Sequence, residues 1–134
     1  MFKSAVTAFI PHPNNRELYL AVSRKTDPND MGLVGGKVNG HPCETHRDAL
    51  SRELKEETGL TLASMRPVLT RRDGKFIVYA YTVEVVEDLN KPLSDIINTT
   101  EKGVVRWVSA EKLISGSFGA FNKKLLGIVN FNVA

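Results

Sequence analysis

Apolar and polar positions are patterned most regularly near the start of the chain. Ser4 to Ile10 is β-branched and apolar, and Glu17 to Val22 alternates with period two. The PHPNN between them supplies Pro and Asn turn chemistry, so the pattern predicts two strands joined as a hairpin. It breaks at Ser23. From there to Gly40 the chain is polar and Gly-rich, with TDPND followed by LVGGKVNG, which predicts a long loop holding at most short extended pieces. A helix is predicted over 46 to 58: Thr45 can cap it with Asp48 three residues on, and Gly59 stands where a left-handed residue would end it. Beyond it, Met65 to Thr70 and Lys75 to Val86 read as strands around the turn RRDG, and Gly103 to Val108 as a further short strand. Ser109 can cap a brief helix through Leu113. Phe121, Leu125, Ile128 and Val129 recur at helical spacing and predict a closing amphipathic helix over Phe121 to Phe131. Strands in hairpins, with one strong helix before residue 109, argue against a doubly wound parallel sheet. The expected class is α/β of the α+β kind, a mixed β-sheet flanked by helices.

Length and composition narrow this. The 134 residues suit one domain, expected over 1–134, large enough to bury a core without disulfides. Hydrophobic residues are 42% and charged residues 25%, with no repeat or Pro/Gly/Ser-rich tract, as in ordinary soluble globular proteins. A single cysteine, Cys43, excludes an intrachain disulfide, and MFKSAVTAFI lacks the long apolar stretch of an export signal. A cytoplasmic protein with no membrane partner is expected. The net charge of +3 suits an anionic small molecule but falls short of the basic stripe of a nucleic-acid binder.

The helix poses an electrostatic question. RELKEETGL, residues 52 to 60, places Glu53, Glu56 and Glu57 in the last turns of a helix. Glu53 and Glu57 are four apart, a like-charge pair costing about 0.2–0.5 kcal/mol. The negative end of the helix dipole adds roughly 0.3–1 kcal/mol per charge. At 100° per residue the three glutamates share one arc with Ala49 beneath them, Leu50 and Leu54 lie on the adjoining arc, and Ser51 and Lys55 point away. The leucines must dock on the sheet, leaving the carboxylates along the rim between core and solvent. Such a rim is a cradle for cations. Mg²⁺ takes hard oxygen ligands, usually one or two carboxylates plus water and substrate phosphates, and divalent charge would remove the repulsion.

Glu44, seven residues, then Arg52-Glu53-Leu54-Lys55-Glu56-Glu57-Thr58-Gly59-Leu60 matches the latter part of the Nudix hydrolase signature completely, and the chain strongly resembles that family. It departs in two places: seven residues rather than five separate Gly36 from Glu44, and Val34 stands where a Pro is usual before Gly-Gly. A two-residue insertion around Asn39 to Pro42, forming a longer turn, is inferred, with His41 and Cys43 as turn residues rather than ligands. The resemblance implies the Nudix fold, a mixed β-sheet sandwiched between α-helices, and Mg²⁺-dependent hydrolysis of a nucleoside diphosphate linked to another group, with Mn²⁺ as a substitute.

The resemblance also implies roles. Glu53, Glu56 and Glu57 would be metal ligands and catalytic residues, and the Gly36 carbonyl a further ligand. Arg52 would pair with a carboxylate of the motif and orient it. Glu44 would steady the helix or a metal-bound water, and Gly59 would end the helix. In MutT-type relatives a later Glu acting as base lies six residues before a Trp. Here Glu101 lies six before Trp107, with Asp95 and Glu87 as fallbacks. Lys37, Arg24, Arg71, Arg72 and Lys75 are candidates for phosphate contact, against the plainer reading of exposed surface charge, and Lys37 and Arg24 are taken forward as substrate-binding. Phe76, Tyr79 and Trp107 could stack on a base, but such strand positions are more often core.

The expected activity is pyrophosphohydrolysis of a phosphorus-containing anhydride in a small nucleotide. A nucleoside or deoxynucleoside triphosphate, giving monophosphate and pyrophosphate, is the first choice because the chain is compact and carries no added recognition domain. ADP-ribose or nucleotide sugars come second; the Pro frequent in ADP-ribose hydrolases about fifteen residues past the motif is replaced by Phe76 or its neighbours. A non-catalytic nucleotide sensor is a third reading, opposed by retention of every motif carboxylate, and cap removal from RNA is disfavoured by charge. A homodimer is compatible with the sequence, although no segment dictates an interface.

Overall fold

The computed structural model describes residues 3–40, 43–97 and 103–115. Seven strands, β1 (Lys3–Phe9), β2 (Pro11–His12), β3 (Asn15–Arg24), β4 (Asp27–Lys37), β5 (Leu62–Asp73), β6 (Phe76–Val85) and β7 (Val105–Ser109), form one sheet in the order β2-β3-β4-β1-β6-β5, with β7 on the other side of β3. Among the described residues three helices accompany them: α1 (His46–Thr58), the single turn α2 (Leu93–Ile96) and α3 (Ala110–Ile114). β1 runs parallel to β6 and antiparallel to β4, so the sheet is mixed, as the sequence pattern predicts. Among the described residues no helix is long and apolar enough to cross a membrane.

Three expectations are corrected here. The predicted hairpin between Ser4–Ile10 and Glu17–Val22 does not form as such: the chain does turn, at Pro13 and Asn14, but the strand that folds back onto β3 there is the two-residue β2, through Pro11 opposite Tyr19 and His12 opposite Asn15. β1 instead takes its partners from residues 34–37 and 76–82. The stretch expected as a loop from Ser23 to Gly40 is largely the eleven-residue β4. Its first part pairs with β3, through Met31, Gly32 and Leu33, and its last part with β1, through Val34 to Lys37. A strand bonded to two neighbours in turn is held by their backbones, so it needs no alternating pattern of its own. Gly35 shows the tightness of the fit, since a Cβ there would lie 2.2 Å from the Val6 carbonyl oxygen. The RRDG turn is also tighter than read: β5 runs on through Arg71, Arg72 and Asp73, and Gly74, with φ 59°, and Lys75 make the turn.

The α1 boundaries agree with the sequence to the residue. Thr45 accepts from the Asp48 N–H while the Asp48 side chain accepts from the Thr45 N–H, and Gly59 ends the helix at φ 77°. Such a cap is worth about 1 kcal/mol. Leu50 and Leu54 are fully buried and Ala49 with them, against Val6, Ala8, Val34 and Val83 of the sheet; each leucine contributes roughly 1.5–3 kcal/mol. A second cluster of Phe9, Tyr19, Ala21, Met31, Ala80 and Val108 closes around Leu113 of α3. α3 is capped by Ser109, as expected. The predicted helix over Phe121 to Phe131 lies outside the described residues.

Candidate functional site

The site is built where the end of β4 meets the last turns of α1. Gly35 donates its backbone N–H to Glu57 Oε2 at 3.1 Å. One residue on, Gly36 lies so close to Glu53 that a Cβ would be 2.5 Å from Oε1 and 2.9 Å from Oε2. Only a glycine lets the strand and this carboxylate share the space. The two glycines thus bring backbone against two of the three glutamates read from the helix rim.

Arg52 is the hub of the charged network. Its guanidinium grips Glu44 with two hydrogen bonds, 2.8 Å from Nε and 3.0 Å from Nη2. It also donates to Glu53 Oε1 at 2.8 Å and to the Lys37 carbonyl at 3.0 Å, and lies 3.5 Å from Glu56 Oε2. The planar fork of Arg suits this bidentate contact. Hydrogen bonding to Arg52, then to the Asn39 N–H, holds the Glu44 carboxyl below its ordinary value. Arg52 thus lies against two motif carboxylates, Glu53 and Glu56, and Glu44 is tied to the helix through Arg52. On either side of His41 and Pro42, which lie outside the described residues, Gly40 bridges to Cys43, and the Glu44 N–H donates to the Asn39 carbonyl.

These contacts answer part of the electrostatic question. Arg52 pairs with Glu53 and approaches Glu56, and the Gly35 N–H serves Glu57, but a single guanidinium shared with Glu44 leaves the cluster strongly negative, a charge that a divalent cation would offset. Among the described residues no three His, Cys, Asp or Glu side chains are grouped to hold an ion. The donor set nonetheless fits Mg²⁺: hard carboxylate oxygens on one helix face beside a backbone stripped of side chains at Gly35 and Gly36, for an ion that completes its shell with water and phosphate. Glu53 is the inner member, its side chain 12% exposed, and Glu56 the outer, at 38%.

A cleft of about 420 Å³ opens beside these residues. Gly35, Gly36, Lys37 and Glu57 line it, as do Val22, Leu33, Phe76 and Val78. Both cations taken forward from the sequence line it: Lys37, whose ammonium lies 5.7 Å from the Phe76 ring centre, and Arg24, paired with Asp30 at 3.1 Å. Asp30, unnoticed in the sequence because β4 was read as loop, also lines the cleft. Glu101 lies outside the described residues. Glu87 accepts from the Thr61 N–H and hydroxyl just past the C-terminal end of α1, Asp95 lies in α2, and neither lines the cleft.

The NUDIX domain family model matches residues 1–126. The chain belongs to the Nudix family. A nucleoside triphosphatase NudI of Enterobacter sp. (strain 638) is 28% identical over 120 residues, covering 80% of this chain and 84% of the relative. Among solved structures, a MutT from work on Aliivibrio salmonicida and Vibrio cholerae superposes with a TM-score of 0.71 at 18% identity, covering 95% of each chain. An ADP-ribose pyrophosphatase of Streptococcus suis gives 0.72 at 16% identity, covering 100% of this chain and 94% of that one. At these identities the two structures speak for the fold alone. Membership places RELKEETGL, with its network around Arg52, as the Nudix motif of this chain.

Proposed function

We propose that this Nudix protein is a Mg²⁺-dependent hydrolase of nucleoside or deoxynucleoside triphosphates, releasing monophosphate and pyrophosphate. The observation that carries the reading is the continuity of the cleft, which joins Glu57, Gly36 and Lys37 of the motif region to an apolar wall of Val22, Leu33, Phe76 and Val78. A phosphate chain needs the first set and a nucleobase the second. The likeness to a nucleoside triphosphatase supports the same choice.

Glu53, Glu56, Glu57 and the Gly36 carbonyl would hold Mg²⁺, which supplies charge neutralisation on the phosphates and a more acidic water. The chain's own groups then have distinct tasks. Arg52, fixed by Glu44, orients the Glu53 carboxylate. Lys37 offers a mobile cation to the phosphates from the cleft wall. Glu101 takes the proton of the attacking water as its oxygen adds to phosphorus and the bridging oxygen leaves with the bonding electrons. Support for Glu101 is its spacing of six residues before Trp107.

A panel of triphosphates, ADP-ribose and nucleotide sugars with Mg²⁺, with products resolved by phosphorus NMR, tests this. Pyrophosphate from triphosphates is expected. Two monophosphates from ADP-ribose, with triphosphates untouched, would overturn the substrate assignment.

A further inference from the structure

The sequence offers three aromatic residues for nucleobase stacking and no means of choosing among them. The sheet chooses. Along β6, residues two apart share a face. Phe76 and Val78 line the cleft, whereas Tyr79 turns the opposite way, its ring 4.3 Å from that of His46 at the start of α1. Trp107 meets the His12 ring at 4.6 Å and packs against the core under α1. Among the described residues lining the cleft, Phe76 is the only aromatic one.

We propose that Phe76 is the residue on which the base of the substrate stacks. Resting on the hydrolase reading above, the proposal names the group that recognises the nucleoside half. Three observations support it beyond the lining. Phe76 is half-buried at the first position of β6, fixed by register opposite Lys3 of β1, so its ring is anchored by backbone yet open to the cleft. Val78, Leu33 and Val22 add the apolar wall that an aromatic ring of the ligand needs. The spacing to the motif is also suitable: Phe76 and Gly36 lie on either side of β1, about 10 Å across and three residues, roughly 10 Å, along the strands. Sugar and phosphates bridge such a gap while the base stays on the ring.

Lys37 completes the arrangement. Its ammonium sits at 5.7 Å from the Phe76 ring centre, near the outer limit of about 6 Å for a cation–π contact. An arriving base takes over that ring, and the released ammonium is then free for the phosphates. One ligand therefore satisfies both residues by separating them.

The test compares wild type with Phe76→Leu and Phe76→Tyr. For triphosphate hydrolysis, Phe76→Leu should raise KM about tenfold or more, the scale of one lost base–aromatic stack, with kcat little changed. Phe76→Tyr should restore KM. Binding of a nucleoside monophosphate, measured by calorimetry without catalysis, should weaken by the same factor in Phe76→Leu, with thermal melts showing all three proteins folded. A protein that binds the monophosphate but hydrolyses no nucleotide would overturn the hydrolase reading and leave stacking to be judged by binding. Equal affinity in wild type and Phe76→Leu, or no monophosphate binding by wild type, would overturn the stacking assignment.

Discussion

Adjacent glycines at the end of β4 should respond to the same substitution in opposite ways. In Gly36→Ala the new Cβ would sit 2.5 Å from Glu53 Oε1, and ordinary contact begins near 3.4 Å. The obstacle is the tip of a flexible side chain, so it yields: the Glu53 carboxylate retreats by roughly 1 Å and loosens its 2.8 Å bond to Arg52. That partly solvated, charge-assisted bond is worth about 1 kcal/mol, and the fold should lose no more. Activity should fall much further, because a displacement of about 1 Å in a catalytic group can cost roughly 100-fold. In Gly35→Ala the Cβ meets Val6 O at 2.2 Å and Thr7 Cα at 2.9 Å, both backbone of the central strand. That strand cannot yield without disturbing its pairing on both sides, so stability should drop by about 3 kcal/mol or more. Urea unfolding gives the stabilities, and initial rates with saturating Mg²⁺ give kcat/KM. Equal destabilisation by the two substitutions, or wild-type turnover in Gly36→Ala, would refute the reasoning.

Chelation by EDTA should abolish turnover, and added Mg²⁺ should restore it; Glu56→Gln should lower kcat at least about 100-fold, corresponding to roughly 2.7 kcal/mol, as read by pyrophosphate release. Arg52→Lys keeps the charge but loses the fork that holds Glu44 and Glu53 together, so activity should fall about 10–100-fold, with the protein still folded by circular dichroism. Since the Glu44 carboxyl is held below its ordinary value of 4.5 by Arg52 and the Asn39 N–H, its contribution to stability is present above that pH and is lost as the pH falls through its lowered folded value. Unfolding curves between pH 6 and pH 3 should therefore be less steep in acid for Glu44→Gln than for wild type. Thr45→Ala should cost about 1 kcal/mol through the lost cap, measured by the urea midpoint, without changing KM.

What the sequence disclosed and what it hid divide along the range of the interactions involved. α1 was legible because Thr45, Asp48 and Gly59 define it through contacts a few residues long. Its three glutamates could be placed on one rim by helix geometry alone. β4 was not legible: its backbone bonds go to β3 and then to β1, and no periodicity in DPNDMGLVGGK records either partner. The turn in PHPNN was read correctly, but choosing the partner of β1 required knowing where residues 34–37 and 76–82 go. At the site, the Gly35 contact with Glu57 spans 22 residues and is fixed only when β4 docks. The charge argument from the helix counted three carboxylates but not the reach of Arg52 across two of them, which lessens their repulsion without cancelling it.

The placement of β1 also sets the order in which the molecule can be completed. Of the seven described strands it is translated first, yet its second neighbour is residues 76–82. After Lys37 has been made, about 50 further residues must follow before β6 can dock, which takes roughly 2.5–10 s at ribosomal speeds. Throughout that interval the nascent chain presents one open edge of an apolar strand carrying Val6, Ala8 and Phe9. That is the window in which a chaperone, or a neighbouring unfinished chain, competes with β6 for the same backbone.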